Sequence, residues 1–126
     1  MTEEKEATLG TIAWRDLTVP DAERLREFYC KVVGWSSQEM DGDFNMIPPG
    51  GGAPAAGICY ARGPNARLPP QWLMYVLVED VEASARIAVA EGGTIVDGPR
   101  VAGFGKICVI RDPAGAVLAL YGGSAP

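Results

Sequence analysis

The apolar and polar positions of the chain open with a strand. In "IAWRDLTVPD", residues 12–21, Trp14, Asp16 and Thr18 fall on one face of an extended segment and Arg15, Leu17 and Val19 on the other. Leu17 and Val19 suit a core. The opposite face pairs a large aromatic with a carboxylate, which core formation alone does not require. Asp21 then stands where a helix wants its N-cap. Leu25, Phe28, Tyr29, Val32 and Val33 recur at helical spacing with charges opposite, and Gly34 supplies a left-handed stop. Three short strands are predicted next, at about 35–39, 44–48 and 57–61.

The pattern then repeats. "TVPDAERLREFYCKVVGW" and "LVEDVEASARIAVAEGGT" align without a gap at a shift of 59, which carries Val19 onto Val78, Asp21 onto Asp80, Glu23 onto Glu82, Phe28 onto Ile87 and Gly34 onto Gly93. The same shift takes Pro54 to Pro113 and Ile58 to Val117. The second copy predicts a strand over about 72–78 and a helix from Asp80 with a smaller stripe of Val81, Ala85, Ala88 and Val89. Gly92-Gly93 stop that helix, and strands follow at 94–97, 106–111 and 116–121. "RDPAGAV", residues 111–117, reads as the turn between the last two strands. Each half is therefore β-α-β-β-β, spanning about 11–62 and 71–122, with "GPNARLPP" (63–70) as linker and residues 1–10 as a flexible tail. We expect an α+β fold, one domain over 11–124, whose cupped mixed sheet carries helices on one face. Two such halves can turn their bare faces together around a cleft.

Composition narrows the chemistry. The chain has 126 residues, enough to bury a core without disulfides or metals as staples, and a net charge of −5 with no basic cluster, which argues against nucleic acid. Cys30, Cys59 and Cys108 are far apart and odd in number, so buried free thiols in a reducing compartment are expected. "MTEEKEATLG" has no apolar signal region and the apolar runs are only strand-length; a cytoplasmic protein without membrane partners is the expectation. The chain contains no histidine, which removes the commonest metal ligand and neutral-pH acid–base catalyst.

The paired modules, "VPDAERLREFYCKVVGW" near the start and "IRDPAGAVLALY" near the end, resemble the vicinal oxygen chelate superfamily, which contains glyoxalase I, bleomycin-resistance proteins and extradiol dioxygenases. The resemblance covers about 11–122. In the metal-dependent members it implies ligands on the first and last strand of each module. The matching first-strand positions here are Trp14 and Leu73; the last-strand position is Ala119, and the repeat places its counterpart at Tyr60. Tryptophan, leucine, alanine and tyrosine make no ordinary divalent site. The resemblance thus implies the fold and a homodimer, without the family's metal chemistry and without a cofactor.

A cup with aromatic residues at those positions suits an apolar or planar organic molecule. The candidate ligand-binding residues are Trp14, Asp16, Tyr60, Leu73, Tyr75, Phe104, Ala119 and Tyr121. Asp16 is also the candidate base, against which stands an ordinary ion pair to a neighbouring Arg or Lys. Trp14 and Tyr60 can equally be plugs that fill a redundant metal cavity. The glycine-rich "PPGGGAPAAG" (48–57) lacks a phosphate-loop ending and reads as a hairpin loop; "GFGK" (103–106) reads as a loop with a solvated Lys106; "EMDGDF" (39–44) reads as a turn. Three functions are compatible with this pattern: a metal-free small-molecule-binding protein, a metal-independent lyase or isomerase using Asp16, and a non-binding structural or regulatory module.

Overall fold

The computed structural model describes residues 8–103 and 105–122. Residues 1–7 of the expected tail, and Phe104, lie outside the described residues. Both helices start where the repeat places them. Asp21 Oδ1 accepts from the Arg24 amide at 3.3 Å and Asp80 Oδ1 from the Ala83 amide at 3.1 Å, so α1 (Ala22–Val33) and α2 (Val81–Ala90) begin with satisfied N-caps. Gly34, at φ 86°, closes α1 with its N–H on the Cys30 carbonyl.

The strands complete two βαβββ modules. In the first, β1 (Ile12–Val19), β2 (Ser36–Met40), β3 (Asp43–Ile47) and β4 (Ala56–Tyr60) are ordered β2-β3-β4-β1, with β1 parallel to β4 and the other pairs antiparallel. In the second, β5 (Trp72–Val78), β6 (Thr94–Ala102), β7 (Gly105–Arg111) and β8 (Val117–Gly122) are ordered β5-β8-β7-β6, with β5 parallel to β8. The class is α+β with mixed sheets, as the repeat predicts. The β2–β3 turn uses Asp41 and Gly42, both at positive φ (54° and 88°), the pairing that a two-residue hairpin favours. In the β7–β8 turn, Asp112 Oδ1 accepts from the Ala114 and Ala116 amides at 2.8 and 3.0 Å.

The contacts divide the chain into two compact units. Residues 15–72 form the N-terminal unit; residues up to Trp14 join those from Leu73 onward in the C-terminal unit. The start of β1 shows why: the Gly10 amide donates to the Leu77 carbonyl at 2.7 Å and the Leu77 amide to that of Thr11 at 2.9 Å. Gly10, expected in a loose tail, is thus tied to β5.

Each unit has its own core beneath its helix. In the N-terminal unit Leu17, Val19, Ala22, Met46 and Ile58 are buried, with Leu25, Tyr29, Trp35, Phe44 and Trp72 packed against them. The Trp72 indole N–H donates to the Tyr29 hydroxyl at 3.1 Å. In the C-terminal unit the core is Val81, Ala85, Cys108 and Leu120, with Val78 and Ile110 alongside. The α1 stripe is narrower than its pattern suggests: Leu25 and Tyr29 pack inward, whereas Phe28, Val32 and Val33 are exposed. At about 100° per residue, Phe28 and Val32 fall a quarter turn to one side of the Ala22–Tyr29 line. The linker is more ordered than its composition implies, with a 3₁₀ turn at Gly63–Asn65 and a buried Leu68. Strand β6 runs five residues beyond its expected end, through two register shifts, the second of which spans a cis Gly98–Pro99 bond.

Candidate functional site

In the C-terminal unit the helix side of the sheet is marked by Val78, Cys108, Ile110 and Leu120, which meet α2. Alternation therefore sends Leu73, Tyr75 and Leu77 of β5, and Ala119 and Tyr121 of β8, to the helix-free face. Register aligns them across the sheet: Tyr75 opposes Ala119, Leu77 opposes Tyr121, and β7 adds Val109 and Ile107 beside those two β8 residues. The structure thus brings Leu73, Tyr75, Ala119 and Tyr121 together on one face, as the sequence suggests. Leu73, Tyr75 and Ala119 are 2%, 4% and 0% exposed; Tyr121 is half-buried.

The same face holds a pair that sequence reasoning missed. Asp97 opposes Val109 and Arg100 opposes Ile107, so both join the row of Ala119 and Tyr121. The Arg100 Nε donates to Asp97 Oδ2 at 2.9 Å, and Asp97 is 7% exposed. Burying a carboxylate this deeply is costly unless it is paired. Its signal was the "DGPR" segment itself, a carboxylate and a guanidinium bracketing a Gly-Pro that interrupts a strand. The Cys108 thiol, on the other face, is pushed up first by burial and then by the Asp97 charge.

In the N-terminal unit the same alternation divides the candidates. Leu17 opposes Ile58 and Val19 opposes Tyr60, all on the helix side. Asp16 opposes Gly57 and Thr18 opposes Cys59 on the helix-free face. Tyr60 is therefore not on the face that Trp14 and Asp16 share along β1; it packs on the core under α1. The expectation for Tyr60 rested on extending the 59-residue shift through the last strand. Structurally, Val19 pairs with Tyr60 but Val78 pairs with Gly122, a shift of 62. The extra length of β6 moves the register, so the counterpart of Ala119 is Gly57 and that of Tyr121 is Cys59.

Asp16 is half-buried and engaged. Its charge reaches Cys59: burial first, then Asp16 and Asp43, against an opposing Arg62, push that thiol up to about 12. Cys59 is consequently a thiol, not a thiolate nucleophile, at neutral pH. Trp14 is half-buried at the last residue of β1 assigned to the C-terminal unit. Lys106 is not solvated alone: its Nζ donates to Glu82 of α2 at 2.9 Å, on the helix side.

These residues do not fit a divalent metal. The positions matching the ligands of metal-dependent relatives are Trp14, Leu73, Ala119 and, by structural register, Gly57. None is a donor. Among the described residues no group of three or more His, Cys, Asp or Glu side chains converges. The C-terminal face sets two tyrosine rings, apolar side chains and one buried ion pair side by side.

The family model for the glyoxalase/bleomycin resistance protein/dioxygenase superfamily matches residues 9–120. The chain belongs to this superfamily. "Putative glyoxylase CFP32" of Mycobacterium tuberculosis is 30% identical over 132 residues, covering 96% of this chain and 49% of that protein. "Anthracycline biosynthesis protein DnrV" of Streptomyces peucetius is 29% identical over 128 residues, covering 89% of this chain and 46% of that protein. The chain thus spans about half the length of these relatives. Among solved structures, methylmalonyl-CoA epimerase of Mycobacterium tuberculosis superposes with a TM-score of 0.52 at 19% identity, covering 98% of this chain and 94% of that one. The Legionella pneumophila structure titled NAD-dependent benzaldehyde dehydrogenase gives 0.56 at 15% identity, covering 88% and 98%. These two likenesses are of fold. Within the superfamily, then, this chain keeps the βαβββ frame and carries apolar residues at the positions that matter for metal. No helix among the described residues is long and apolar enough to cross a membrane.

Proposed function

We propose that this superfamily member binds a small apolar or aromatic organic molecule against the helix-free faces of its modules, without a metal. The carrying observation is the C-terminal face: Leu73, Tyr75, Ala119 and Tyr121 lie together in register, and the ligand positions of metal-dependent relatives hold no donor. Tyrosine rings give a planar ligand contact area and, when well placed, about 0.5–1.5 kcal/mol beyond burial. The relative named for anthracycline biosynthesis supports an aromatic ligand class. Binding as a homodimer in the cytoplasm belongs to the same reading.

A thermal-shift screen of aromatic metabolites and antibiotics tests it, since a ligand stabilises by mass action whatever follows. A raised Tm that survives chelator and is lost in Tyr121→Ala is expected. Stoichiometric metal in protein purified without chelator overturns the metal-free assignment. Catalysis, if a ligand turns over, falls to Asp16 as base, and unchanged turnover in Asp16→Asn removes that role. The burial of Leu73, Tyr75 and Ala119 favours a second reading, in which side chains fill the space and nothing binds. A screen without a single stabilising compound selects it. Light scattering of the purified chain tests the dimer.

A further inference from the structure

We propose that the N-terminal unit carries a separate small-molecule site on the helix side of its sheet, matched to a zwitterion with a flat apolar body, the class of an aromatic α-amino acid. A cavity of about 550 Å³ lies there. Helix α1 supplies Glu23 and Arg26 to one wall, and β2 supplies Ser37 and Glu39 to the other. Phe44 and Tyr60 form the floor, their ring centroids 6.3 Å apart, and Gly42 and Arg62 complete the rim.

The floor and the cations form a ladder. The Arg26 guanidinium lies 5.1 Å from the Phe44 centroid, and the Arg62 guanidinium 5.0 Å from that of Tyr60. Each of the two rings thereby carries one guanidinium over it. Gly42 leaves room for one of them: at φ 88°, a Cβ there would stand 2.8 Å from Arg62 Nη2.

Charge around these arginines is balanced, yet their directional bonding is incomplete. Arg26 Nη2 is 3.8 Å from Glu23 and 3.7 Å from Glu27, and Arg62 Nη2 is 3.9 Å from Asp43, all beyond hydrogen-bonding reach. Among the described residues the Nε of Arg26 is buried without a partner. That Nε is closed off from solvent, so it is the Arg62 guanidinium, its side chain 61% exposed, that stays open to an acceptor in the cavity. A carboxylate, with two oxygens in a plane, is the acceptor that a guanidinium fork fits best.

Glu23 and Glu39 set the rest of the ligand. A simple anion meets their repulsion and a simple cation meets that of the arginines; a molecule bearing both an ammonium and a carboxylate meets neither. An aromatic body then stacks on the guanidinium planes that lie over Phe44 and Tyr60. The site lies on the opposite sheet face from the one proposed above and does not depend on it.

Titration of the amide-labelled chain by NMR, with L-phenylalanine, 3-phenylpropionate and phenethylamine as probes, tests the proposal. L-phenylalanine is expected to shift the amides of Ser37, Phe44, Tyr60 and Arg62, and to bind about tenfold more tightly than either analogue. Arg62→Gln should weaken phenylalanine and phenylpropionate but not phenethylamine. Glu39→Gln should weaken phenylalanine and phenethylamine but not phenylpropionate. Both side chains are exposed, so neither change threatens folding. No response to phenylalanine at millimolar concentration overturns the site, as do shifts centred on Tyr75 and Tyr121 instead. Equal binding of phenylalanine and phenylpropionate overturns the zwitterion assignment.

Discussion

Beneath α1 the chain packs Met46, Ile58, Tyr29, Trp35 and Trp72, with Phe44 and Tyr60 at the margin; beneath α2 it packs Val81, Ala85, Cys108 and Leu120. The two modules share a topology and even their capping aspartates, but one core holds large rings and the other aliphatic side chains and a cysteine. Large rings under α1 leave a polar cavity at its edge, where arginines lie over aromatics. The smaller residues of α2 leave an apolar groove of about 530 Å³, lined by Ala85, Val89, Ile95 and Pro99. On the helix-free faces the contrast reverses: Asp16, Thr18 and Cys59 in the N-terminal unit, against Leu73, Tyr75, Ala119 and Tyr121 in the other. A repeated fold fixes where side chains point, and divergence between copies decides what each face binds.

The sharpest test of the contrast is deletion of core bulk. Ile58→Ala should cost about 4 kcal/mol, because a fully buried branched side chain is lost and its cavity cannot collapse. Cys108→Ala, equally buried, should cost only about 1 kcal/mol, near the transfer value of one small group. Urea denaturation of both variants checks the ratio, and similar costs would erase the distinction between the cores.

Asp97→Ala should come next, at about 3 kcal/mol, since it breaks an ion pair whose carboxylate is 7% exposed. Chemical denaturation measures it, and a double variant with Arg100→Ala should recover part of the loss. A cost below about 1 kcal/mol, the order of a surface pair, would mean that this face is wetter than its burial indicates. A smaller effect of about 1 kcal/mol is expected from Asp80→Ala, which removes the α2 cap while leaving its core untouched.

The effect that is smallest at neutral pH is one of titration. The Cys59 thiol is held above its ordinary 9.0, at about 12, so the folded state keeps a proton that the unfolded chain releases. That contribution is fully present below pH 9 and is lost as pH rises toward 12. Stability of the chain should therefore decline through this window, and Cys59→Ala should flatten the decline in alkaline denaturation curves. Alkylation at mildly alkaline pH should reach Cys30, on α1, before Cys59 or Cys108.

Much of the fold was legible because its signals are local. Asp21 and Asp80 cap helices through bonds to residues three positions away, and Gly34 and the Asp41-Gly42 turn need only their own dihedrals. The site was legible only where strand alternation was uninterrupted, as for Leu73, Tyr75, Ala119 and Tyr121. Tyr60 was misplaced because the length of β6, which shifts the register of the last strand, is set by bulges that depend on pairing with β7. Asp97 and Arg100 were overlooked for the same reason: their facing follows from that irregular pairing, and a charged pair in a Gly-Pro segment reads locally as a turn.

The amino-acid sequence by itself determined two βαβββ modules, their helix starts and stops, and the absence of metal donors at the matching positions, since each depends on residue type and near-neighbour spacing. Tertiary structure alone decided that Tyr60 lies under a helix while Gly57 takes its place, that Asp97 is buried against Arg100, and that two arginines cap an aromatic floor. Those facts depend on register between strands distant in the chain, and register is a property of the assembled sheet.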